Sequence, residues 1–402
     1  MNTQSPGFSE SPLQGASENL ARTHWWLWIT FFAMVATVSI GLSWDKAYHA
    51  THSFDTFYSP PHLFIYSMTI LTMLLFEVLV FSPRFRTWFG PGFRLPLIRF
   101  EVPGALVITG SGLAMLGFAG LVLDNLWHSN FGLDETAWTT PHAMLGWSWF
   151  IATLGFISCR LALRSHKPVR WYTAAILGYL ILGFSASPIL GPLWQHHTPE
   201  MVQAIASIPT LADQSPVQHA SRIYLEWHLD RTNPLFIPLG AVWAGSGLAL
   251  VRSLDRRVTV LLMAIFVWSL MSLIQAYKTA VYLDQFLPVS KDPASWLPLP
   301  IFPAAIVMVV MLKIGLSERW AWAGAGIAFG LITFLVWGTS VSVALLVILA
   351  APAMVAGALV GKWIYRILEN PSKEGVRSLV LAGLGVPFLT GVIDLLLRWV
   401  TP

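Results

Sequence analysis

Long apolar runs separated by short polar segments dominate the pattern of hydrophobic and polar positions along the chain. A helix needs about 20 predominantly apolar residues to cross the hydrocarbon core of a bilayer, which is roughly 30 Å thick. Eleven runs approach or exceed this length, and the boundary within 319–361 is the least sharply marked. They cover residues 25–44, 62–81, 104–127, 142–163, 171–190, 234–252, 257–283, 299–317, 319–338, 339–361 and 378–397. The pattern predicts an all-α fold, a polytopic membrane helix bundle of about 11 transmembrane helices.

The composition agrees with this prediction. Hydrophobic residues make up 55% of the 402 residues and charged residues only 11%, and the mean hydropathy is +0.63. Ordinary soluble domains carry about 25% charged residues. We therefore expect an integral membrane protein in contact with the lipid bilayer.

The basic residues predict how the bundle is oriented. With the N-terminus in the cytoplasm, 18 of the 24 Lys and Arg residues fall in segments on the cytoplasmic side. Membrane proteins show this bias because cytoplasmic loops are enriched in Lys and Arg. The net charge of +4 thus reports topology, and it does not indicate a nucleic-acid partner. We expect a bacterial inner membrane location.

The chain divides into three parts in this interpretation. Residues 1–24, rich in Ser, Gly, Pro and Gln, are predicted to form a disordered cytoplasmic tail. Residues 25–163 form two helical hairpins related by an offset of about 79 residues. Residues 164–402 form a further helical membrane domain, in which the polar stretch 191–233 is predicted to cap the outer surface. Cys159 is the single cysteine, so no disulfide can form within the chain.

Each predicted hairpin carries the same spacing of His and Asp residues in its non-cytoplasmic turn. The gaps are four and six residues in both copies, followed by seven in the first and eight in the second. The first copy has Asp45, His49, Asp55 and His62; the second has Asp124, His128, Asp134 and His142. An Asp and a His four residues apart lie on one helix face, and the later His returns from the next helix. Two imidazoles and a carboxylate suit a first-row transition metal.

The start of the second helix in each hairpin explains how the later His is held. Ser59 and two prolines precede His62, and Thr140 and Pro141 precede His142. A hydroxyl residue as N-cap followed by Pro in the first turn is a common helix start. Each later His is therefore expected in a first turn with a fixed backbone. Asp55 and Asp134 either orient a ligand His through its second ring nitrogen or hydrogen-bond within the turn.

These segments resemble the C subunit of the copper membrane monooxygenases that oxidise methane and ammonia. That subunit has a segment D-x-x-W-H, five residues, then D-T-x-F-T-P-S-H. Here residues 45–49 read DKAYH and residues 55–62 read DTFYSPPH, with the same spacing. A second ligand set in the following hairpin, N-x-x-x-H and a later P-x-H or P-L-H, is similar to Asp124, His128 and His142. The resemblance covers about residues 40–160.

The resemblance implies two copper sites close together and a role in oxygen activation. Asp45, His49 and His62 would hold one ion, and Asp124, His128 and His142 would hold another or share it. Asp124 stands where the family has Asn, which makes the second site more anionic and leaves iron or zinc as alternatives to copper. The family enzyme also uses companion subunits, including a soluble copper-binding domain that this chain lacks, and this chain has seven further predicted spans.

Three functions remain open from the sequence. The leading hypothesis is an oxidoreductase of the monooxygenase type, with the six His and Asp residues as metal ligands and catalytic residues. It would oxidise a small or apolar substrate at the periplasmic face, with electrons from a quinol. A metal-handling transporter is the rival, in which Gln275, Lys278 and Asp394 would line a path. The third is a structural subunit of a larger membrane complex, stabilised by its metal.

Overall fold

The structure is a computed structural model, and nearly all of its described residues are helical. It describes residues 12–42, 44, 45, 48, 58–96, 98–131, 140–195, 236–284, 291, 297–337 and 343–385.

The long helices follow one another along the chain with short connections. In the first half they are α1 (Pro12–Ala36), α2 (Pro60–Phe81), α3 (Gly104–Phe118), α4 (Asp124–Phe131), α5 (Thr140–Ala162) and α6 (Trp171–Gln195). In the second half they are α7 (Phe236–Leu254), α8 (Val258–Leu283), α9 (Ile301–Lys313), α10 (Glu318–Trp337), α11 (Val343–Glu369) and α12 (Lys373–Val380). Within the described residues, eight helices are long and apolar enough to cross a membrane. The predicted all-α membrane helix bundle is therefore confirmed at this level.

Three of the eleven predicted spans fall short of that criterion. The apolar part of α6 covers Trp171–Ser185, and α9 has only 13 residues. The predicted span 378–397 coincides with the end of α12 and the turn Leu381–Gly385, and its remainder lies outside the described residues. Eight spans are thus established by length and apolar composition, and the count of eleven stays a prediction.

The N-terminal segment differs from its prediction. Helix α1 begins at Pro12, so residues 12–24 of the predicted disordered tail are helical. Residues 13–21 include Leu, Gln, Ala and Glu, which favour helix, and the apolar run that begins at Trp25 extends this helix into the bundle. Residues 1–11 lie outside the described part of the chain.

The two predicted hairpins pack into one hydrophobic core around α5. Helix α1 packs on α2, α3 packs on α5, and α2 packs on α3. In the apolar window of α5, 94% of the residues are buried, against 22% in α8. Helix α5 is therefore the central helix of this half, and α8 lies at the periphery, where lipid would contact it.

Helices α3 and α5 approach so closely because glycines face the opposing backbone. A β-carbon at Gly155 would overlap the backbone of Thr109, and one at Gly112 would overlap the backbone of Ala152. Small residues at such positions allow helix backbones in membranes to come into contact. The close approach fixes how the second hairpin presents its motif, since α3 leads to Asp124 and α5 begins two residues before His142.

The second half has a core of its own, built mainly from α7, α10 and α11. The α7–α11 contact also depends on glycines, because a β-carbon at Gly245 would overlap the backbone of Met354, and one at Gly357 that of Val242. Ser158 on α5 donates a hydrogen bond to the carbonyl of Leu368 on α11 at 2.7 Å. This bond ties the two halves together.

One small sheet interrupts the helices. Strands β1 (Gly92–Arg94) and β2 (Glu101–Pro103) pair antiparallel, with Phe93 opposite Val102. Val102 is buried, so the hairpin is anchored on the bundle beside the start of α3. The apolar-run analysis placed only a connecting segment here, because three-residue strands are too short to show alternation.

The connection between α7 and α8 is held by one ion pair. Arg257 donates to both carboxylate oxygens of Asp255, with Nε 3.0 Å from each. These hydrogen bonds hold the pKa of Asp255 below its usual value. The carboxylate thus stays ionised at neutral pH and fixes the turn between the two helices.

Candidate metal centre

The first motif copy brings an acid and an imidazole together inside the protein. Asp45 follows the end of α1, and His62 lies in the first turn of α2. The Nε2 atom of His62 is 3.2 Å from Oδ1 of Asp45. Asp45 is 8% exposed and His62 is 3% exposed. The predicted meeting of two motif residues from adjacent helices therefore occurs in the first hairpin.

The start of α2 has the form that the sequence predicted. Ser59 is the N-cap residue with an extended backbone, and Pro60 and Pro61 occupy the first turn. The Ser59 side chain makes no capping hydrogen bond, so the prolines fix this start by restricting the backbone. His62 follows directly and is held on a rigid first turn.

The second motif copy places its acid in an equally buried position. Asp124 is the first residue of α4 and is 3% exposed. Its Oδ2 atom accepts a hydrogen bond from the hydroxyl of Tyr66 at 3.0 Å. His142 lies in the first turn of α5 and is half-buried. Asp124 and His142 therefore occupy the same places in their hairpin as Asp45 and His62.

Tyr66 joins the two copies. It lies one helical turn after His62 on α2, and the centroids of the two rings are 5.8 Å apart. Its hydroxyl reaches Asp124 across the α2–α3 contact. The two buried acids, which are 79 residues apart in sequence, thus lie at one end of the bundle with His62 and Tyr66 between them.

A turn of π-helix precedes the acid in each copy. The first covers Thr37–Gly41 and the second covers Ala119–Leu123. Such turns occur often at functional sites, because the extra residue redirects the side chains that follow. In each hairpin the redirected residues are those that lead to the motif acid.

One glycine in each π-helical turn faces α2. A β-carbon at Gly41 would lie 2.6 Å from Cγ1 of Ile65, and one at Gly120 would lie 3.7 Å from Cε1 of Tyr66. The two glycines are 79 residues apart, so both copies share the sequence G-L-x-x-D at 41–45 and 120–124. The sequence analysis missed this part of the repeat, although the fixed offset makes it visible.

Part of the predicted ligand set lies outside the described residues. This applies to His49, Asp55, Asp134 and most of the predicted cap 191–233, and the side chain of His128 is likewise not described although its backbone belongs to α4. Among the side chains that the structure describes, no three His, Cys, Asp or Glu residues lie together in a group able to hold a metal ion. The described part of the site is an Asp–His pair and a Tyr–Asp pair.

Large apolar side chains border this end of the bundle. Trp44, Leu63 and Leu126 are exposed next to the buried acids and His62, and the rings of Trp44 and Phe64 lie 6.0 Å apart. In a membrane these side chains would contact lipid. The polar groups are thus shielded from water while their surroundings are open to apolar molecules.

The hydroxyl of Tyr66 can be tested by replacing Tyr66 with Phe. A hydrogen bond to a charged group contributes about 1.5–3 kcal/mol, and loss of a residue that orients a metal ligand lowers metal affinity about 10–100-fold. We expect a lower thermal unfolding midpoint and weaker metal binding, measured on the purified protein. Tyr172→Phe is the matched control, because Tyr172 accepts a hydrogen bond from Arg170 at the opposite end of the bundle. Equal metal binding by both variants would contradict a role for Tyr66 at the site.

In comparisons with known proteins, no protein-family model, no curated protein and no solved structure matches this chain.

Proposed function

We propose that the protein is a membrane-embedded, metal-dependent oxidoreductase of the monooxygenase type, with copper as the metal. The observation that supports this most strongly is the convergence of both motif copies at one end of the bundle, through the Asp45–His62 and Tyr66–Asp124 contacts. A buried acid is costly to keep in a membrane unless it has a task, and here two such acids occupy equivalent positions of a repeat.

The Asp45–His62 pair fits the first coordination shell of a transition metal. Metal–nitrogen and metal–oxygen bonds of about 2.0–2.2 Å place neighbouring donor atoms about 3.0–3.5 Å apart. The observed separation of 3.2 Å lies in this range, although an imidazole hydrogen-bonded to a carboxylate has a similar separation. We propose Asp45, His49 and His62 as ligands of one ion, and Asp124, His128 and His142 as ligands of a second ion or of the same one.

The residues of the chain would divide the work of the reaction. Bound copper would supply one-electron redox chemistry and oxygen binding. Tyr66 would orient the carboxylate of Asp124, and the buried setting would exclude bulk water. The exposed apolar side chains, among them Leu63 and Leu126, would admit a small or apolar substrate from the bilayer. Iron remains the alternative, since two imidazoles and one carboxylate also hold non-haem iron.

The overall reaction balances with a quinol as reductant. One atom of O₂ is inserted into a C–H bond of the substrate as a hydroxyl group, and the other leaves as water. The quinol supplies the two electrons and two protons that this requires. Companion membrane subunits, as in the copper membrane monooxygenases that the motif resembles, would deliver the electrons.

The finer topology belongs to the same proposal. Eleven spans, a cytoplasmic N-terminus and a bacterial inner membrane would place both motif copies at the periplasmic face. The bias of 18 of 24 basic residues toward the other side supports this orientation. A transporter has less support, because Gln275 and Lys278 are exposed on α8 and do not line an interior path.

The experiment is metal analysis followed by an oxygenation assay on protein purified from its native membrane. We expect copper by elemental analysis, a copper signal in paramagnetic resonance and loss of both with a chelator. After reloading with copper, a quinol analogue and a small alkane should yield an alcohol that carries ¹⁸O from ¹⁸O₂. Protein that contains only zinc and produces no labelled alcohol would favour the structural alternative and contradict the oxidoreductase.

A further inference from the structure

A second buried charged group lies at the opposite end of the bundle. Arg160 is in the last turn of α5 and is only 4% exposed. Its Nη2 atom donates a hydrogen bond to the carbonyl of Pro168 at 2.9 Å. Its Nε and Nη1 atoms are buried and have no hydrogen-bond partner.

The absence of a counter-charge separates Arg160 from its neighbour on the same helix. Arg164, one turn later, forms an ion pair with Glu369 at 2.7 Å. Among the ion pairs of the described residues, none includes Arg160. A guanidinium group has five N–H donors, and a buried charge without a partner costs several kcal/mol. The bundle therefore lacks a group that this side chain requires.

Arg160 lines a small cavity between α1, α5 and α6. The remaining lining is apolar and consists of Leu27, Trp28, Phe31, Phe156 and Leu177. The volume of about 10 Å³ gives room for one group the size of a water molecule. One oxygen atom of a larger ligand can enter, and the rest of that ligand must remain outside the cavity.

A second cation lies beside this cavity. Nζ of Lys167 is 3.5 Å from Nδ1 of His24, and Nε2 of His24 accepts a hydrogen bond from the indole of Trp28 at 3.0 Å. Trp28 is itself part of the cavity lining. No ion pair of the described residues includes Lys167. The cavity therefore has two cations near it and no nearby acid that pairs with either.

We propose that Arg160 and Lys167 bind the phosphate group of an anionic phospholipid. A phosphate oxygen would enter the cavity and accept hydrogen bonds from the free donors of Arg160, which pair well with phosphate. Arg160 lies near the end of a membrane-spanning helix, at the level where lipid headgroups occur, and basic pockets between such helices bind anionic headgroups. The apolar lining favours a lipid over free phosphate. This proposal is independent of the metal site.

The test measures lipid binding to the full-length protein in a neutral detergent. Phosphatidylglycerol should raise the thermal unfolding midpoint, and native mass spectrometry should detect the bound lipid. Arg160→Gln should weaken this binding at least about tenfold, since hydrogen bonds to charged groups contribute about 1.5–3 kcal/mol. Without lipid, the variant should be as stable as the wild type or more stable, because it removes an unpaired buried charge.

Three controls make the result decisive. Arg164→Gln breaks an ordinary ion pair on the same helix and should leave lipid binding unchanged. Lys167→Gln alters an exposed side chain and should weaken binding about fivefold, which tests the site even if Arg160→Gln fails to fold. Equal stabilisation by phosphatidylcholine or by inorganic phosphate would overturn the proposal, as would unchanged lipid binding in the Arg160 and Lys167 variants.

Discussion

Protein that carries His62→Ala is expected to fold and to bind copper at least about a hundredfold more weakly than the wild type. Loss of a residue that only orients a ligand already costs about 10–100-fold in affinity, and we propose that His62 is itself a ligand. Its imidazole lies 3.2 Å from the Asp45 carboxylate in a buried position, so no water or neighbouring residue replaces it freely. Elemental analysis of the purified protein and a competition titration with a copper chelator measure this effect.

The matched control is His166→Ala. His166 is exposed and packs edge-on against Trp88 at the opposite end of the bundle, with ring centroids 5.0 Å apart. This variant should keep the copper content of the wild type. Added imidazole should restore part of the binding in His62→Ala, because it can occupy the space left by the side chain. Wild-type copper affinity in His62→Ala would remove the first site from the proposal.

The sequence allowed the first half of the fold to be predicted because that half is repeated. Fixed spacing between motif residues, together with apolar runs on either side, is enough to place two helical hairpins in the same orientation. The Asp45–His62 contact follows from this arrangement, since the end of α1 and the start of α2 meet in any short hairpin. The structure agrees with the prediction there.

Tyr66 could not be found in the same way. Its counterpart in the second copy is Leu145 or Gly146, depending on whether the offset is 79 or 80 residues, so no repeat marks it. Its role depends on which helix packs against α2, and pattern analysis within one segment does not show that. A tyrosine in an apolar run is most simply a packing residue, and only the contact with Asp124 distinguishes it.

The helix pairs of the second half were also beyond prediction. Gly357 and Gly361 form a G-x-x-x-G pattern that indicates a close helix contact, but the pattern does not say which helix is the partner. In the structure their partners are the backbones of Val242 and Ser246 on α7. Helices α7 and α11 are about a hundred residues apart in the chain, so no local signal joins them.

Gly155→Val is expected to destabilise the protein by at least about 3 kcal/mol and to lower its metal content. Overpacking of a well-packed core costs about 1–3 kcal/mol when side chains can adjust. Here the obstacle is the backbone of Thr109, so α3 and α5 would have to separate along their length. Their separation would displace Asp124 and His142, which these two helices position.

The comparison that isolates this effect is Gly183→Val on α6. Gly183 is also a helical glycine within the apolar part of the chain, but a β-carbon there would meet no atom within 4 Å. Its replacement should change stability by less than about 1 kcal/mol and leave bound metal unchanged. Thermal unfolding followed by size-exclusion chromatography, with metal analysis of the folded fraction, measures both quantities. If both variants lost stability equally, the loss would come from valine in a membrane helix, and the close α3–α5 contact would not be what positions the second motif.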